Sequence, residues 1–140
     1  MENNQTIFLG QIFKDSRGEL IAFNEFEMSK ISRMYMIIPE PDVVRAWQGH
    51  KKETKWFFVI KGSFEIRTIQ ALDEKNVVLE QKKYILKDSD FKVLVLPGGN
   101  LNGFKSLKPG SCMQVFSEFN LENGKADDFR IDLDSIPWEY

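Results

Sequence analysis

Apolar and polar positions along this chain change over at short intervals, and no long stretch keeps the 3.6-residue apolar period of an amphipathic helix. Turn signals cut it into pieces of strand length. Thr6 to Phe13 is apolar-rich and runs into Lys14-Asp15-Ser16-Arg17-Gly18, whose Asp, Ser and Gly suit a tight turn, so Glu19 to Phe26 is expected as its hairpin partner. Arg33 to Ile38 is a compact apolar strand, halted by Pro39-Glu40-Pro41-Asp42 because prolines cannot donate to a ladder. Val43 to Trp47 resumes extended structure. Trp56-Phe57-Phe58-Val59-Ile60 is apolar at every position and predicts a middle strand buried on both faces, turned by Lys61-Gly62. Ser63 to Ile69 sets Phe64, Ile66 and Thr68 opposite Glu65, Arg67 and Ile69, the pattern of a half-buried strand. Asp73 to Asn76 reads as a polar hairpin loop before Val77-Val78-Leu79. Val93 to Leu96 is another buried strand, stopped by Pro97-Gly98-Gly99-Asn100, and Ser111 to Phe119 alternates again. The tail Asn120 to Tyr140 predicts a loop with one short closing element.

Many short strands with regular punctuation mean an all-β sandwich or barrel. A length of 140 residues fits one domain with a real core, and 42% hydrophobic with 29% charged residues gives no support to disorder. The twelve phenylalanines lean the chain further toward strands. A formal charge of -2 argues against nucleic acid or an anionic membrane as the main partner, although a local basic cluster still admits a small anion. Cys112 is the one cysteine and cannot close an internal disulfide. The start of the chain lacks the basic residues and apolar run of a signal peptide, and no stretch approaches the roughly 20 apolar residues of a membrane helix. A soluble cytoplasmic protein is expected.

The only histidine, His50, lies in Gln48-Gly49-His50-Lys51-Lys52-Glu53-Thr54-Lys55 between two apolar strands, with Gly62 ending the next strand. This spacing resembles the first cupin motif, two histidines one residue apart followed by a glutamate and, seven residues later, a glycine. Those positions hold Gln48, His50, Lys55 and Gly62. Pro97, Gly99 and Asn102 are similar to the second motif, in which a histidine stands where this chain has asparagine. The resemblance implies a single-domain cupin (double-stranded β-helix, or jelly-roll) barrel over 1–140, with an N-terminal hairpin at 1–30, a barrel core at 31–119 and a closing segment at 120–140. A cupin metal needs lone pairs from all four positions. Here they carry amide, imidazole, ammonium and amide, and an ammonium has no lone pair and repels a cation, so neither metal nor other cofactor is expected.

Further features resemble the metal-free cupins, the dTDP-sugar epimerases and 3,4-ketoisomerases. Phe13, Asp15, Arg17 and Gly18 resemble that branch's F-x-D-x-R-G hairpin, whose arginine helps bind the nucleotide diphosphate. Arg33-Met34-Tyr35 is similar to the R-x-Y strand of the ketoisomerases, where the tyrosine faces the sugar. Val44 to His50 resembles their V-x-R-G-x-H-x-H run, with Arg45 and the second histidine kept, and Lys55 stands where the 3,5-epimerases carry a substrate-contacting lysine. The ending Ile131 to Trp138 also looks epimerase-like. The usual base is replaced by Gln48, the second-motif histidine by Asn102, and the acid tyrosine, four residues before Glu118, by Gln114.

What the resemblance implies is a ketoisomerase-like subset acting on a dTDP-4-keto-6-deoxy sugar through an enediolate, in polysaccharide biosynthesis. His50 is the candidate base, Lys55 the candidate stabiliser of the enediolate and Tyr35 a proton relay; Arg17, Arg33, Arg45, Gln48, Asn102 and Gln114 are candidate substrate-binding residues. A homodimer is expected, because in the resembled branch the first hairpin crosses to a neighbour. The alternative is a non-catalytic cupin that binds a sugar or nucleotide sugar, and a metal-dependent dioxygenase or isomerase is disfavoured by Lys55. Lys55 either snorkels at its strand end or points into the pocket. Arg17 and Arg45 pair with surface carboxylates or with a diphosphate.

Overall fold

The computed structural model describes residues 5–139, so both ends of the expected domain, residues 1–4 and 140, lie outside the described residues. Strands form where β-branched and aromatic residues gather: β1 (Thr6–Leu9), β2 (Gln11–Asp15), β3 (Gly18–Ala22), β4 (Arg33–Ile37), β5 (Arg45–His50), β6 (Lys55–Lys61), β7 (Ser63–Ala71), β8 (Val77–Lys87), β9 (Lys92–Leu96), β10 (Asn100–Ser106), β11 (Cys112–Ser117) and β12 (Asp128–Arg130), with one helix, α1 (Leu121–Asp127). Two five-stranded sheets result, ordered β1-β9-β6-β11-β4 and β12-β5-β10-β7-β8, beside the β2-β3 hairpin. All pairings are antiparallel.

The main core lies between the two large sheets. Phe57 and Val59 of β6, Phe64 and Ile66 of β7, Phe104 of β10 and Val115 of β11 meet there, each from the inward face of its strand. The expected all-apolar strand is indeed central in its sheet, but only one of its faces is sealed throughout: Ile60 on the outer face is 46% exposed. Trp56 and Phe58 on that outer face are covered by Phe26 and Phe23, in ring contacts at 6.2 and 5.3 Å.

The second core cluster explains why β7 is buried on both sides and not half-buried as its alternation predicts. Trp47, Ile69, Leu101 and Phe129 pack with Ile136 and Trp138 against the outer face of the second sheet. The C-terminal segment therefore forms a third layer. Arg67, whose position reads as solvent-facing, donates to the Trp138 carbonyl at 2.6 Å and to Glu65 at 2.8 Å, satisfying its charge under that layer. The closing segment also contains α1, begun by Asn120, whose side chain accepts from the Asn123 N–H. No helix among the described residues is long and apolar enough to cross a membrane.

Candidate functional site

The period-two alternation of four strands decides which polar side chains enter the barrel. Tyr35 from β4, Gln48 and His50 from β5, Lys55 from β6 and Asn102 from β10 all line one cavity of about 540 Å³, with Arg45 at its edge. Phe57 and Phe104 supply apolar wall. Register brings these residues together: β10 pairs with β5 so that Asn102 lies opposite Gln48, and Ser117 of β11 lies opposite Lys55.

Lys55 does not snorkel. It is 3% exposed, and its Nζ donates to Ser117 Oγ at 2.8 Å and to Tyr35 Oη at 3.2 Å. Two cations lie near the Tyr35 ring, Lys55 Nζ at 5.1 Å and Arg33 Cζ at 4.7 Å from its centroid. Arg33 is not a cavity-lining residue and acts on the ring of Tyr35.

A buried carboxylate that nothing in the sequence marks lies against two of the cavity-lining residues, His50 and Lys55. Glu53 sits in a short loop between β5 and β6 whose polar residues read as solvated, yet it is 1% exposed. The loop is drawn inward because carboxylates accept its backbone N–H groups: Asp127 from Glu53 at 2.9 Å and from Lys52 at 3.1 Å, and Glu118 from Thr54 at 3.0 Å. Gly98 permits the fit, since a Cβ there would collide with the Lys52 backbone. Glu53 then places Oε2 against the Phe119 N–H at 2.8 Å, and Oε1 3.4 Å from Lys55 Nζ and 3.6 Å from His50 Nε2.

Burial, followed by the positive charge of Lys55, holds the His50 imidazole down at about 4, against an ordinary value of 6.5. His50 is therefore neutral at physiological pH and keeps a lone pair, but it is a weaker base than its residue type suggests. Asn102 Nδ2 donates to the Gln48 backbone carbonyl at 3.1 Å, and Gln48 Nε2 lies 3.4 Å from Asp128 Oδ2. These amides are held by partners within their own sheet. Arg45 lies near the Phe104 ring at 5.8 Å, and Arg130 of β12, unmarked in the sequence, lines the same cavity. Neither arginine has a carboxylate ion-pair partner among the described residues.

Besides Arg33, two expected binding residues stand apart from this cavity. Gln114 lies on the opposite face of β11 from the buried Met113 and Val115, and its amide donates to the Tyr35 carbonyl at 3.2 Å. Alternation puts it there, since only Met113, Val115 and Ser117 share the inward face. Arg17 projects from the β2-β3 hairpin with its side chain 88% exposed, bound to Asp15 at 2.6 Å. The metal-ligand positions do not fit a cation. Glu53 is paired with the Lys55 ammonium and Asp128 with the Gln48 amide, and among the described residues no three His, Cys, Asp or Glu side chains converge.

No family model matches this chain, and no curated protein does. Solved structures do. A 3,4-ketoisomerase from Helicobacter canadensis is similar at 23% identity over 96% of this chain and 95% of that one, with a TM-score of 0.71. The 3,4-ketoisomerase from Thermoanaerobacterium thermosaccharolyticum, in complex with TDP-4-keto-6-deoxyglucose, is similar at 20% identity over 94% and 90%, with a TM-score of 0.72. A 3'-monoepimerase from Streptomyces bikiniensis, in complex with dTDP-quinovose, is similar at 12% identity over 96% and 75%, with a TM-score of 0.78. At these identities the likeness establishes the fold, the cupin fold shared by those sugar-nucleotide ketoisomerases and epimerases.

Proposed function

We propose that this chain is a nucleotide-sugar isomerase of the ketoisomerase and epimerase type, acting on a dTDP-linked 4-keto-6-deoxy sugar. The observation that carries the reading is the convergence of His50, Lys55 and Tyr35 on one cavity. Taking a proton from the carbon beside a ketone leaves an electron pair that moves onto the carbonyl oxygen, and the reaction needs a base for the proton and a donor for the oxygen. His50, neutral at pH 7, is the base. The Lys55 ammonium, with the Tyr35 hydroxyl 3.2 Å away, is the donor pair for the enediolate oxygen. A 3,4-keto shift is complete when the O3 hydroxyl gives up its proton, O4 takes one, with Tyr35 as relay, and the carbon proton is returned to C4; an epimerisation instead needs a proton delivered to the same carbon from the opposite face. Arg45 and Arg130, without carboxylate ion-pair partners among the described residues, provide positive charge at the cavity for a diphosphate.

One base is present where inversion of a carbon needs a second group on the opposite face, which favours the keto shift. The test is solvent deuterium exchange into dTDP-4-keto-6-deoxyglucose, with product identified by NMR. Wild-type protein should exchange, and His50→Asn should abolish exchange while leaving dTDP affinity within about two-fold, since a base acts in the transition state.

A second reading, a binding protein without turnover, draws on Gln48 and Asn102, whose amides are engaged with neighbouring strands of their own sheet. Tight dTDP-sugar binding with no exchange across a panel of keto sugars would select it. Failure to bind any nucleotide sugar would overturn both.

A further inference from the structure

We propose that Glu53 is the positioning residue of the site: its Oε1, 3.6 Å from His50 Nε2, favours the imidazole in the Nε2–H form with the lone pair on Nδ1, and offsets the charge His50 acquires when it takes a proton. The catalytic consequence rests on the reading of His50 as base given above; the tautomer does not.

The geometry carries the argument. Glu53 is 1% exposed, and a carboxylate so deep must have its oxygens satisfied or be paired with charge. Oε2 is satisfied by the Phe119 N–H at 2.8 Å. Oε1 is fully buried and makes no formed hydrogen bond, yet two groups lie just beyond bonding range, Lys55 Nζ at 3.4 Å and His50 Nε2 at 3.6 Å. Lys55 already spends donors on Ser117 and Tyr35. An oxygen with spare lone pairs beside an imidazole nitrogen favours a proton on that nitrogen, because the alternative sets two lone pairs against each other.

The surroundings of His50 fit this role. Lys55 from β6 and Arg130 from β12 disfavour its protonated form, while Asp127 at the end of α1 and Asp128 of β12 favour it. Glu53 stands between the Lys55 and His50 side chains and touches both. A ring that gains a proton during turnover therefore meets a carboxylate already held in place by Phe119, with no reorganisation required.

His50 is the only histidine, so the ring nitrogens give unambiguous signals in a long-range 15N–1H NMR spectrum of the labelled full-length protein. Wild-type protein at pH 7 should show a protonated Nε2 and an unprotonated Nδ1. In Glu53→Gln the carbonyl is retained by the Phe119 N–H, so the new NH2 group faces His50 and Lys55; a donor against Nε2 should shift the proton to Nδ1. The same variant should lose roughly 10²- to 10⁴-fold in exchange kcat, with dTDP affinity unchanged within about two-fold, the scale seen when an orienting carboxylate of a catalytic histidine is replaced by its amide.

A wild-type ring protonated on Nδ1, or a Glu53→Gln variant whose tautomer stays as in wild type, overturns the proposal. The wild-type spectrum decides it alone if Glu53→Gln does not fold. Wild-type protein that exchanges no keto sugar rejects the enzymatic reading and leaves the spectrum as the test of Glu53. An active wild type whose Glu53→Gln tautomer shifts without any fall in kcat overturns the positioning role.

Discussion

Lys55 Nζ lies 3.4 Å from the buried carboxylate of Glu53, an ion pair in which one side chain is 4% and the other 1% exposed. Charges this deep repay their desolvation only in company. Replacing Lys55 by Met leaves Glu53 uncompensated and should destabilise the fold by about 3 kcal/mol. Adding Glu53→Gln to Lys55→Met should restore part of that loss, so the double variant is more stable than the sum of the two single effects. Urea unfolding of the four proteins measures the coupling, and strictly additive changes would mean the pair is not energetically joined.

This pair marks the boundary of what sequence makes legible. Lys55 could be located from its position before an apolar strand and from the cupin-like spacing, and the alternation on β6 accounts for its inward aim once the strand is known. Glu53 could not, because Lys-Lys-Glu-Thr-Lys has the composition of a solvated loop, and only Asp127, Glu118 and Phe119, all more than 60 residues away in sequence, draw it inside. For the same reason Glu65 and Arg67 read as outward-facing: the layer that buries them is the distant C-terminal segment. Asn100 to Ser106 was not expected as a strand, since Asn-Leu-Asn-Gly-Phe-Lys-Ser has little β-propensity, and its place between β5 and β7 decides its conformation.

His50 should make stability depend on pH in one direction. Its pKa is about 4 in the fold and near 6.5 in the unfolded chain, so between those values the unfolded state binds the extra proton. The stability this group leaves intact above pH 6.5 is lost as pH falls toward 4. At pH 4.5 the loss amounts to about 2 kcal/mol. His50→Gln lacks the effect, so between pH 7.5 and 4.5 wild type should lose about 2 kcal/mol more than the variant in urea titrations; equal losses would contradict a buried, neutral His50.

Protein purified without added metal should contain no stoichiometric transition metal. The reason is the donor chemistry: at the positions similar to cupin ligands only His50 offers a strong neutral ligand, and Lys55 places a cation where the carboxylate would bind. Elemental analysis by mass spectrometry checks this, and near-stoichiometric zinc, iron, nickel or manganese that survives dialysis would refute it.

The last expectation concerns the surface of β4. As the edge of its sheet it presents unpaired backbone groups, and Met34, Met36 and Ile38 are 68%, 61% and 67% exposed. On the β2-β3 hairpin, Ile12, Phe13 and Leu20 are 48%, 53% and 60% exposed, an apolar load that a two-stranded ribbon does not need for itself. A second copy covering both surfaces would bury these side chains, and it would give Arg17, which does not line its own chain's cavity, a cavity to serve. Light scattering at micromolar concentration should return a mass near twice the 16.3 kDa of one chain. Met36→Lys should shift that equilibrium toward monomer by placing a charge on the apolar edge. Arg17→Ala should leave the dimer intact and raise the dTDP dissociation constant by roughly ten-fold, the loss of about one charge-assisted contact to a phosphate. A wild-type monomer would reject the dimer and with it the ligand role of Arg17, and a dimer whose dTDP affinity ignores Arg17→Ala would confine that arginine to its partner Asp15.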